Sequence, residues 1–300
     1  MSLAPLTLKQ LEALVWVADL GSFRKAAQHL NTTQPNVSAR IAALETTLGL
    51  TLMQRSAAAV HLTPRGSEIV SAARNTLRAA EALLDVAGRA DLVQNTLRLG
   101  VTELVAHTWL RAYLRDLGAL YPHLTVDLTV DLSVSLDRAL AGYQLDLTVQ
   151  TAPFASRISG VHDIGSETFV WCGHPELAAK LPAVASLAEL SRHTILSHAR
   201  DTQASQELYL ALKTLRLKPR IITSNSLLSC LHMAMDGMGL TLVPHSMAAA
   251  PHAQGSLSVI AADWLPKPLQ FAARFHKSNA SNYVIRAAKQ AHSTARAHAT

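Results

Sequence analysis

Three apolar stripes of helical period, separated by two short turns, occupy the first 48 residues and restrict the fold more than any other feature of this sequence. The first helix is predicted to begin after the N-cap Thr7 and to end at Gly21, and Ser22 is expected to cap the second helix. A turn at residues 31–33 precedes the third helix, which tolerates Pro35 in its first turn. The inner faces repeat at steps of three and four and consist of Leu8, Leu11, Val15 and Ala18, then Phe23, Ala26, Ala27 and Leu30, then Val37, Ile41, Leu44 and Leu48.

A short helix, a tight turn and a further helix form the shape that places the last helix in a DNA major groove. The small side chains of Ala26 and Ala27 let the two helices cross closely. Glutamine and asparagine can bond adenine, arginine can bond guanine, and alanine can touch a thymine methyl. Such side chains form the outer arc of the third helix, which consists of Gln34, Pro35, Asn36, Ser38, Ala39, Arg40, Ala42 and Ala43. Spacing alone leaves an alternative open, in which this arc is an ordinary solvated face.

A wing is predicted directly after these helices. Residues 50–53 and 60–62 have the pattern of two short strands, and residues 56–59 form the turn between them. The first 62 residues carry five basic and three acidic side chains, and the whole chain has a net charge of +6. Charge therefore favours a nucleic-acid partner only mildly, and the case depends on the pattern.

Taken together, these segments resemble the N-terminal signature of the LysR-type transcriptional regulators. The matching positions are Ser22, Phe23, Ala26, Ala27, Leu30, Gln34, Pro35, Asn36, Val37, Ser38, Ile41, Leu44, Glu45, Leu48, Gly49, Arg55 and residues 62–66. The resemblance implies a winged helix-turn-helix whose contacts with double-stranded DNA are Gln34, Pro35, Asn36, Ser38 and Arg40, with Arg55 as a backbone anchor in the wing. Two features depart from the family, since Ala39 replaces a frequent basic residue and residues 57–59 of the wing tip are alanines. Weak contacts from the wing are therefore expected.

A long helix is predicted to connect this domain to the rest of the chain. Thr63 is its expected N-cap, Pro64 its first residue and Gly88 its end. Two heptad-like seams run along it, Val70, Leu77 and Leu84 in one and Ala73, Ala80 and Ala87 in the other. The seams allow either packing on the same domain or pairing with a second copy. The family resemblance favours pairing, in a homodimer or homotetramer.

Strands and helices alternate in the last two thirds of the chain, which predicts parallel sheets with right-handed crossovers. Three stretches, residues 97–101, 142–147 and 237–244, resemble the effector-binding domain of the same family. The resemblance implies two Rossmann-like subdomains of the periplasmic-binding-protein kind, joined by crossing strands near residues 163 and 265. The predicted domains are a DNA-binding domain at 1–62, a linker helix at 63–90 and a regulatory domain at 91–300, with subdomains at about 95–163 plus 265–300 and about 164–264.

A ligand cleft is expected between these subdomains, because ligands bind at the carboxyl ends of parallel strands. The candidate effector contacts at strand ends and helix starts are Thr102, Ser133, Thr151, His198 and Asn225. Their hydroxyls and the neighbouring N–H groups would suit a small carboxylate. Each of these residues has an alternative role as an ordinary helix cap or loop residue.

Motifs for catalysis or metal binding are absent from the sequence. His193 and His198 lack nearby cysteines or paired carboxylates, and no phosphate-binding loop or nucleophile elbow occurs. Cys172 and Cys230 are predicted to be buried free thiols in a reducing cytoplasm. No apolar run has the length of a membrane span, and no secretory signal is visible. We therefore expect a cytoplasmic protein that is not an enzyme and has no catalytic residues, metal, cofactor or membrane partner.

Three functions are compatible with these features. The first is an effector-controlled, sequence-specific transcription regulator, for which RNA polymerase is a further candidate partner. The second is a small-molecule sensor whose first 90 residues only dimerise, which the Gln34–Arg40 arc disfavours. The third is a DNA-binding protein whose C-terminal domain only oligomerises.

Overall fold

The computed structural model describes residues 6–55, 60–87, 89, 96–278 and 280–298. Its N-terminal part, the headpiece (residues 6–62), contains three helices, which are α1 (Leu8–Leu20), α2 (Phe23–His29) and α3 (Gln34–Leu48). Thr7 and Gln10 form a reciprocal capping box at the start of α1, and Gly21 ends that helix at φ 60°. The Ser22 hydroxyl accepts the Lys25 N–H at the start of α2. The predicted caps are therefore confirmed.

The headpiece core contains most of the predicted inner faces, but Leu8 is exposed at 46%, and the buried face of α1 also includes Ala13, Leu14 and Val17, which were not predicted. Ala26 is fully buried and Ala27 nearly so, which lets α2 lie close to its neighbours. The wing pairs strand β1 (Met53–Arg55) antiparallel with β2 (Val60–Leu62). The prediction that the first strand begins at residue 50 is wrong. The Glu45 carboxylate accepts the N–H of Leu52 at 2.7 Å and that of Met53 at 3.3 Å, so these groups bond to a side chain instead of a strand. The predicted turn at 56–59 lies outside the described residues.

The connecting helix α4 (Pro64–Val86) begins where it was predicted, whereas its expected end at Gly88 lies outside the described residues. Much of the predicted seam packs on its own chain. Val70 and Ala73 are buried in the headpiece core, Leu77 packs against that core, and Leu84 packs against the core of the C-terminal domain. The exposed apolar side chains near the end of α4 lie beside the seam, and they are Leu83 at 69% and Val86 at 88% exposure.

The C-terminal domain contains two five-stranded sheets with helices packed on them. Its elements are β3 (Thr96–Val101), α5 (Glu103–His107), α6 (Leu110–Leu120), β4 (Thr125–Val130), α7 (Ser133–Ala141), β5 (Leu147–Thr151), β6 (Gly160–Glu167), β7 (Phe169–Gly173), α8 (Pro175–Ala178), α9 (Leu187–Leu190), β8 (Ile195–Ser197), α10 (Gln203–Thr214), β9 (Ile221–Thr223), α11 (Leu227–Met235), β10 (Leu240–Pro244), α12 (His245–Ala253), β11 (Ser258–Ile260), β12 (Leu269–Phe275) and α13 (Asn282–His298). Between Glu103 and Leu120 the chain forms two helices instead of one, because Thr108 leaves the helical conformation at φ −101° and ψ −85°.

Both sheets are mixed, and the parallel sheet predicted from the first three strands, β3, β4 and β5, is confirmed. The first sheet has the order β4-β3-β5-β12-β6, and the second has the order β11-β7-β10-β8-β9. The predicted parallel pairs are present, but β12 runs antiparallel to β5 and β6, and β7 runs antiparallel to β10 and β11. The chain passes from β6 of the first sheet directly to β7 of the second and returns from β11 to β12. These two crossings connect the sheets. The antiparallel directions of β7 and β12 were not predicted, because the period of the apolar pattern carries no information about strand direction.

One apolar cluster includes buried residues from both sheets, among them Leu99 and Val243. The last helix, α13, packs on the first sheet, and the buried Tyr113 hydroxyl of α6 donates to the Ala287 carbonyl at 3.0 Å. The buried ion pair Asp137–Arg274 joins α7 to β12. Within the part of the chain that the structure describes, no helix is both long and apolar enough to cross a membrane.

Candidate functional site

The outward surface of α3 is open to solvent. Gln34, Pro35 and Asn36 are exposed and Ser38 and Arg40 are partly exposed, whereas Val37 and Ile41 on the opposite face are buried. The sequence produces this division because apolar residues recur on one face and polar or small residues fill the rest of the turn. The arc that was predicted to contact DNA is thus available to a partner.

Two side chains of this arc also interact within the headpiece. The Asn36 amide donates to the Thr32 hydroxyl at 3.3 Å, across the turn before α3. Arg40 lies within electrostatic range of Glu12 on α1, where burial raises the pKa of the Glu12 carboxyl and the charges of Arg40 and Lys9 partly oppose that rise. The Arg40 guanidinium therefore interacts electrostatically with Glu12 on α1 while its side chain remains partly exposed on the outer surface.

Arg55, the predicted anchor in the wing, ends β1. Its side chain lies outside the described part of the chain, as do residues 56–59 of the wing tip. Its role stays a prediction.

The five candidate effector contacts lie together. All of them line one cavity of about 570 Å³ between the two sheets. Thr102 follows β3, Ser133 begins α7 after β4, and Thr151 ends β5. From the second sheet, His198 follows β8 and Asn225 precedes α11. Strand ends from both sheets converge here because their parallel strands end at the cleft.

On the first wall of the cleft, hydroxyl groups are close to one another. The Ser133 and Thr151 hydroxyls are 2.8 Å apart, and the Thr151 N–H donates to Ser133 Oγ at 3.0 Å. Thr102 Oγ1 is buried and has no hydrogen-bond partner among the described residues. A buried hydroxyl without a partner favours a ligand group beside it, because leaving it unpaired costs free energy.

On the second wall, His198 Nε2 lies 3.2 Å from the Asn225 carbonyl oxygen. Burial lowers the pKa of His198, and the Asn225 carbonyl and the nearby carboxylates oppose this only partly. The ring is therefore neutral near pH 7, with Nε2 donating to Asn225 and Nδ1 left as an acceptor. Ser205 donates to the His198 carbonyl at 2.9 Å and fixes the loop that carries this histidine.

Glu103 connects the two walls and was not predicted as a site residue. Its carboxylate accepts the Ser226 hydroxyl at 2.8 Å and the N–H groups of Leu227 and Leu228 at the start of α11. A carboxylate is stabilised at a helix N-terminus by the helix dipole and the free N–H groups. The position of Glu103 directly after Thr102 at a strand end was the available signal, but its partners lie more than 120 positions further along the chain.

Neither cysteine belongs to this cleft. Cys172 and Cys230 are free and buried, as predicted. Burial raises the pKa of Cys172 to about 12, and burial together with the Glu103 charge raises that of Cys230 to about 11. Both thiols are protonated at neutral pH and are poor nucleophiles. The described residues also contain no cluster of three or more histidine, cysteine or acidic side chains that could hold a metal ion.

A second group of contacts joins the headpiece to the C-terminal domain. The rings of Trp16 and His29 lie 3.4 Å apart between centroids, and the Arg98 guanidinium lies 5.9 Å from the Trp16 ring. Arg98 itself forms a bidentate ion pair with Asp146. Burial, with the Arg98 charge, lowers the pKa of His29 to about 4. His29 therefore stays neutral at this interface near pH 7.

Comparisons with known proteins agree with both halves of this architecture. Residues 8–67 match the family model described as "Bacterial regulatory helix-turn-helix protein, lysR family", and residues 90–293 match "LysR substrate binding domain". The "Uncharacterized HTH-type transcriptional regulator YcgK" of Bacillus subtilis (strain 168) is 34% identical over 147 residues, which are 49% of this chain and 45% of that protein. A "Probable hydrogen peroxide-inducible genes activator" of Mycobacterium avium is 29% identical over 250 residues, which are 80% of this chain and 78% of that protein.

Solved structures share the fold over nearly the whole chain. A structure described as full-length LysG from Corynebacterium glutamicum with bound effector Arg has a TM-score of 0.61 at 20% identity, covering 97% of this chain and 98% of that one. This chain therefore shares its overall fold with a solved structure along nearly the whole length of both chains.

Proposed function

This chain belongs to the LysR family of bacterial helix-turn-helix regulators, and on that premise we propose that it reads double-stranded DNA through α3 and responds to a small molecule bound between its two sheets. Gln34, Asn36, Ser38 and Arg40 contact base edges or phosphates, and Pro35 packs against the groove wall. Arg55 anchors the wing on the DNA backbone.

The exposed polar arc of α3 is the observation that carries the DNA-binding role. Its side chains are open to solvent while the opposite face of the same helix holds the headpiece core together. A helix with one face fixed and the other free can enter the major groove without rearranging its domain. A sensor whose first 90 residues only dimerise would have no use for this arc.

Control by an effector is supported by the cavity and by its lining. Thr102, Ser133, Thr151, His198 and Asn225 line a single space between two sheets that are connected by few strands. A ligand that bonds to both walls stabilises one relative position of the sheets more than another. The change reaches the DNA-binding helices through α4. A C-terminal domain that only oligomerised would not need such a cavity.

Pairing of two chains is supported by the exposed Leu83 and Val86 near the end of α4, which a second copy would cover. A homodimer or homotetramer presents several α3 helices to a two-fold-related site. The functional units are then residues 1–62, 63–90 and 91–300. The protein acts in the cytoplasm on DNA, and regulation rather than catalysis is its role.

Sensing of peroxide by a thiol, suggested by the name of the Mycobacterium avium relative, is not supported in this chain. The sequence contains two cysteines, and both are buried with raised pKa values. A peroxide sensor needs an accessible thiolate. We therefore favour a non-covalent effector.

The DNA-binding role is tested by fluorescence anisotropy on the DNA upstream of the protein's own gene, with random DNA as competitor. Gln34→Ala is expected to lower specific affinity by about 1–3 kcal/mol, roughly 5- to 150-fold, because a bidentate base contact is lost. Gln206→Ala is the matched control, since Gln206 is also an exposed helical glutamine but lies on α10. Equal affinity of both variants for the specific site, or wild-type binding no tighter than to random DNA, would contradict the proposal.

A further inference from the structure

The charge of the cavity points to the chemistry of its ligand. Among the described residues that line it there are three carboxylates and no lysine or arginine. The carboxylates are Glu103, Asp131 and Asp201. An anion that enters this space loses part of its hydration without meeting a lysine or arginine side chain. The lining therefore disfavours the small carboxylate that the strand ends and helix starts predicted.

At the N-terminus of α11, the backbone groups that would bind an anion are already occupied. The Glu103 carboxylate accepts the N–H groups of Leu227 and Leu228 at the N-terminus of α11 and the hydroxyl of Ser226. The Ser226 hydroxyl also caps the Ser229 N–H at 3.1 Å. A carboxylate ligand at this helix end would have to displace Glu103 from these donors, and the displaced charge would remain in the cleft.

Asp131 and Asp201 place negative charge on opposite walls. Asp131 follows β4 of the first sheet, and Asp201 follows β8 of the second. Both residues are exposed to solvent. Like charges on the two walls repel each other, whereas a cation between them attracts both. A bound cation would therefore favour a closer approach of the walls.

The rest of the lining is largely apolar. Buried or partly buried side chains of this kind are Leu132, Phe169, Leu208, Leu227, Leu242 and Leu269. A cavity of about 570 Å³ has the size that accommodates a small organic molecule. The buried Thr102 hydroxyl and the neutral His198 ring add hydrogen-bonding groups that carry no charge.

We propose that the effector of this protein is an organic cation with an apolar body, such as a protonated amine attached to an aromatic or branched group. This inference rests on the proposed role of the cleft as the effector site. Asp131 and Asp201 attract the ammonium group from the two walls, and the leucines and Phe169 surround the apolar body. Glu103 keeps α11 capped and excludes an anion from the N-terminus of that helix.

Three probes that share one ring system test the inference by calorimetry on the full-length protein. They are tryptamine, which is cationic at pH 7, indole-3-acetate, which is anionic, and tryptophol, which is uncharged. Tryptamine is expected to bind at least tenfold more tightly than either of the others. Asp201→Asn should weaken tryptamine binding several-fold and leave tryptophol unaffected. Asp236→Asn, an exposed aspartate outside the cleft, should change neither.

Glu103→Ala provides a second variant with the opposite expectation. It frees the N–H groups of α11, so indole-3-acetate should gain at least tenfold in affinity. The Asp201 variant keeps the inference testable if this one does not fold. Indole-3-acetate or tryptophol binding the wild type as tightly as tryptamine, or no binding of any of the three, would overturn the inference. In those cases the wild type would still bind its DNA site specifically, and Gln34→Ala would still weaken that binding. Failure of this inference can therefore be distinguished from failure of the proposed function.

Discussion

His29 makes the headpiece sensitive to acid. Its ring lies against that of Trp16, tilted by 33°, and its Nδ1 atom is buried without a hydrogen-bond partner among the described residues. Burial is the larger cause of its lowered pKa, and the positive charge of Arg98 adds to it, while Asp146 partly opposes both. Protonation would place an unpaired charge in this contact, next to the Arg98 guanidinium.

The magnitude follows from the two pKa values. The pKa of His29 is about 4 in the folded protein, against 6.5 for an unperturbed histidine. Between these values the unfolded chain binds more protons, so the stability due to the neutral ring is fully present above pH 6.5 and is lost as the pH falls. The complete loss below pH 4 is about 3 kcal/mol, and about 2 kcal/mol of it is lost by pH 5.

The assay compares free energies of unfolding in urea at pH 7.5 and pH 5.0. Wild type is expected to lose about 2 kcal/mol more than His29→Gln between these conditions, because glutamine does not titrate. His123→Gln, which removes an exposed histidine, should lose as much as wild type. Equal losses in wild type and His29→Gln would refute the assignment of a depressed pKa to His29.

Two further predictions concern packing and the thiols. Gly66→Ala should destabilise the protein by about 1–3 kcal/mol in thermal unfolding, because the new Cβ would lie 2.0 Å from the Leu52 carbonyl oxygen. Gly118→Ala on α6, where nothing lies within 4 Å, should instead raise stability by up to about 1 kcal/mol, and similar effects of the two substitutions would contradict this explanation. Cys172 and Cys230 should react with a thiol reagent only in denaturant, since burial keeps them protonated. Rapid labelling of the native protein, or a peroxide-dependent change in DNA affinity, would show that a thiol is accessible after all.

Local sequence determined the headpiece almost completely. Its caps at Thr7, Gly21 and Ser22, the turn before α3 and the buried faces of α2 and α3 follow from residues at most a few positions apart. Such interactions act within one or two helical turns, so they can be predicted from neighbouring residues in the sequence. The same holds for the strand ends of the C-terminal domain. Thr102, Ser133, Thr151, His198 and Asn225 were chosen from the order of strands and helices, and they line one cavity.

Tertiary structure decided what depends on distant segments. The antiparallel directions of β7 and β12, the contact of Glu103 with α11 and the burial of His29 beside Arg98 each join residues many positions apart. The charge of the cleft belongs to the same class, because Asp131 and Asp201 face one space only after two sheets have packed together. Apolar periodicity identifies which side of a helix or strand is buried, but it does not identify the neighbouring element on which that side packs. Which side chains of the two sheets face each other across the cleft, and therefore which ligand chemistry the cleft favours, is determined only by the assembled fold.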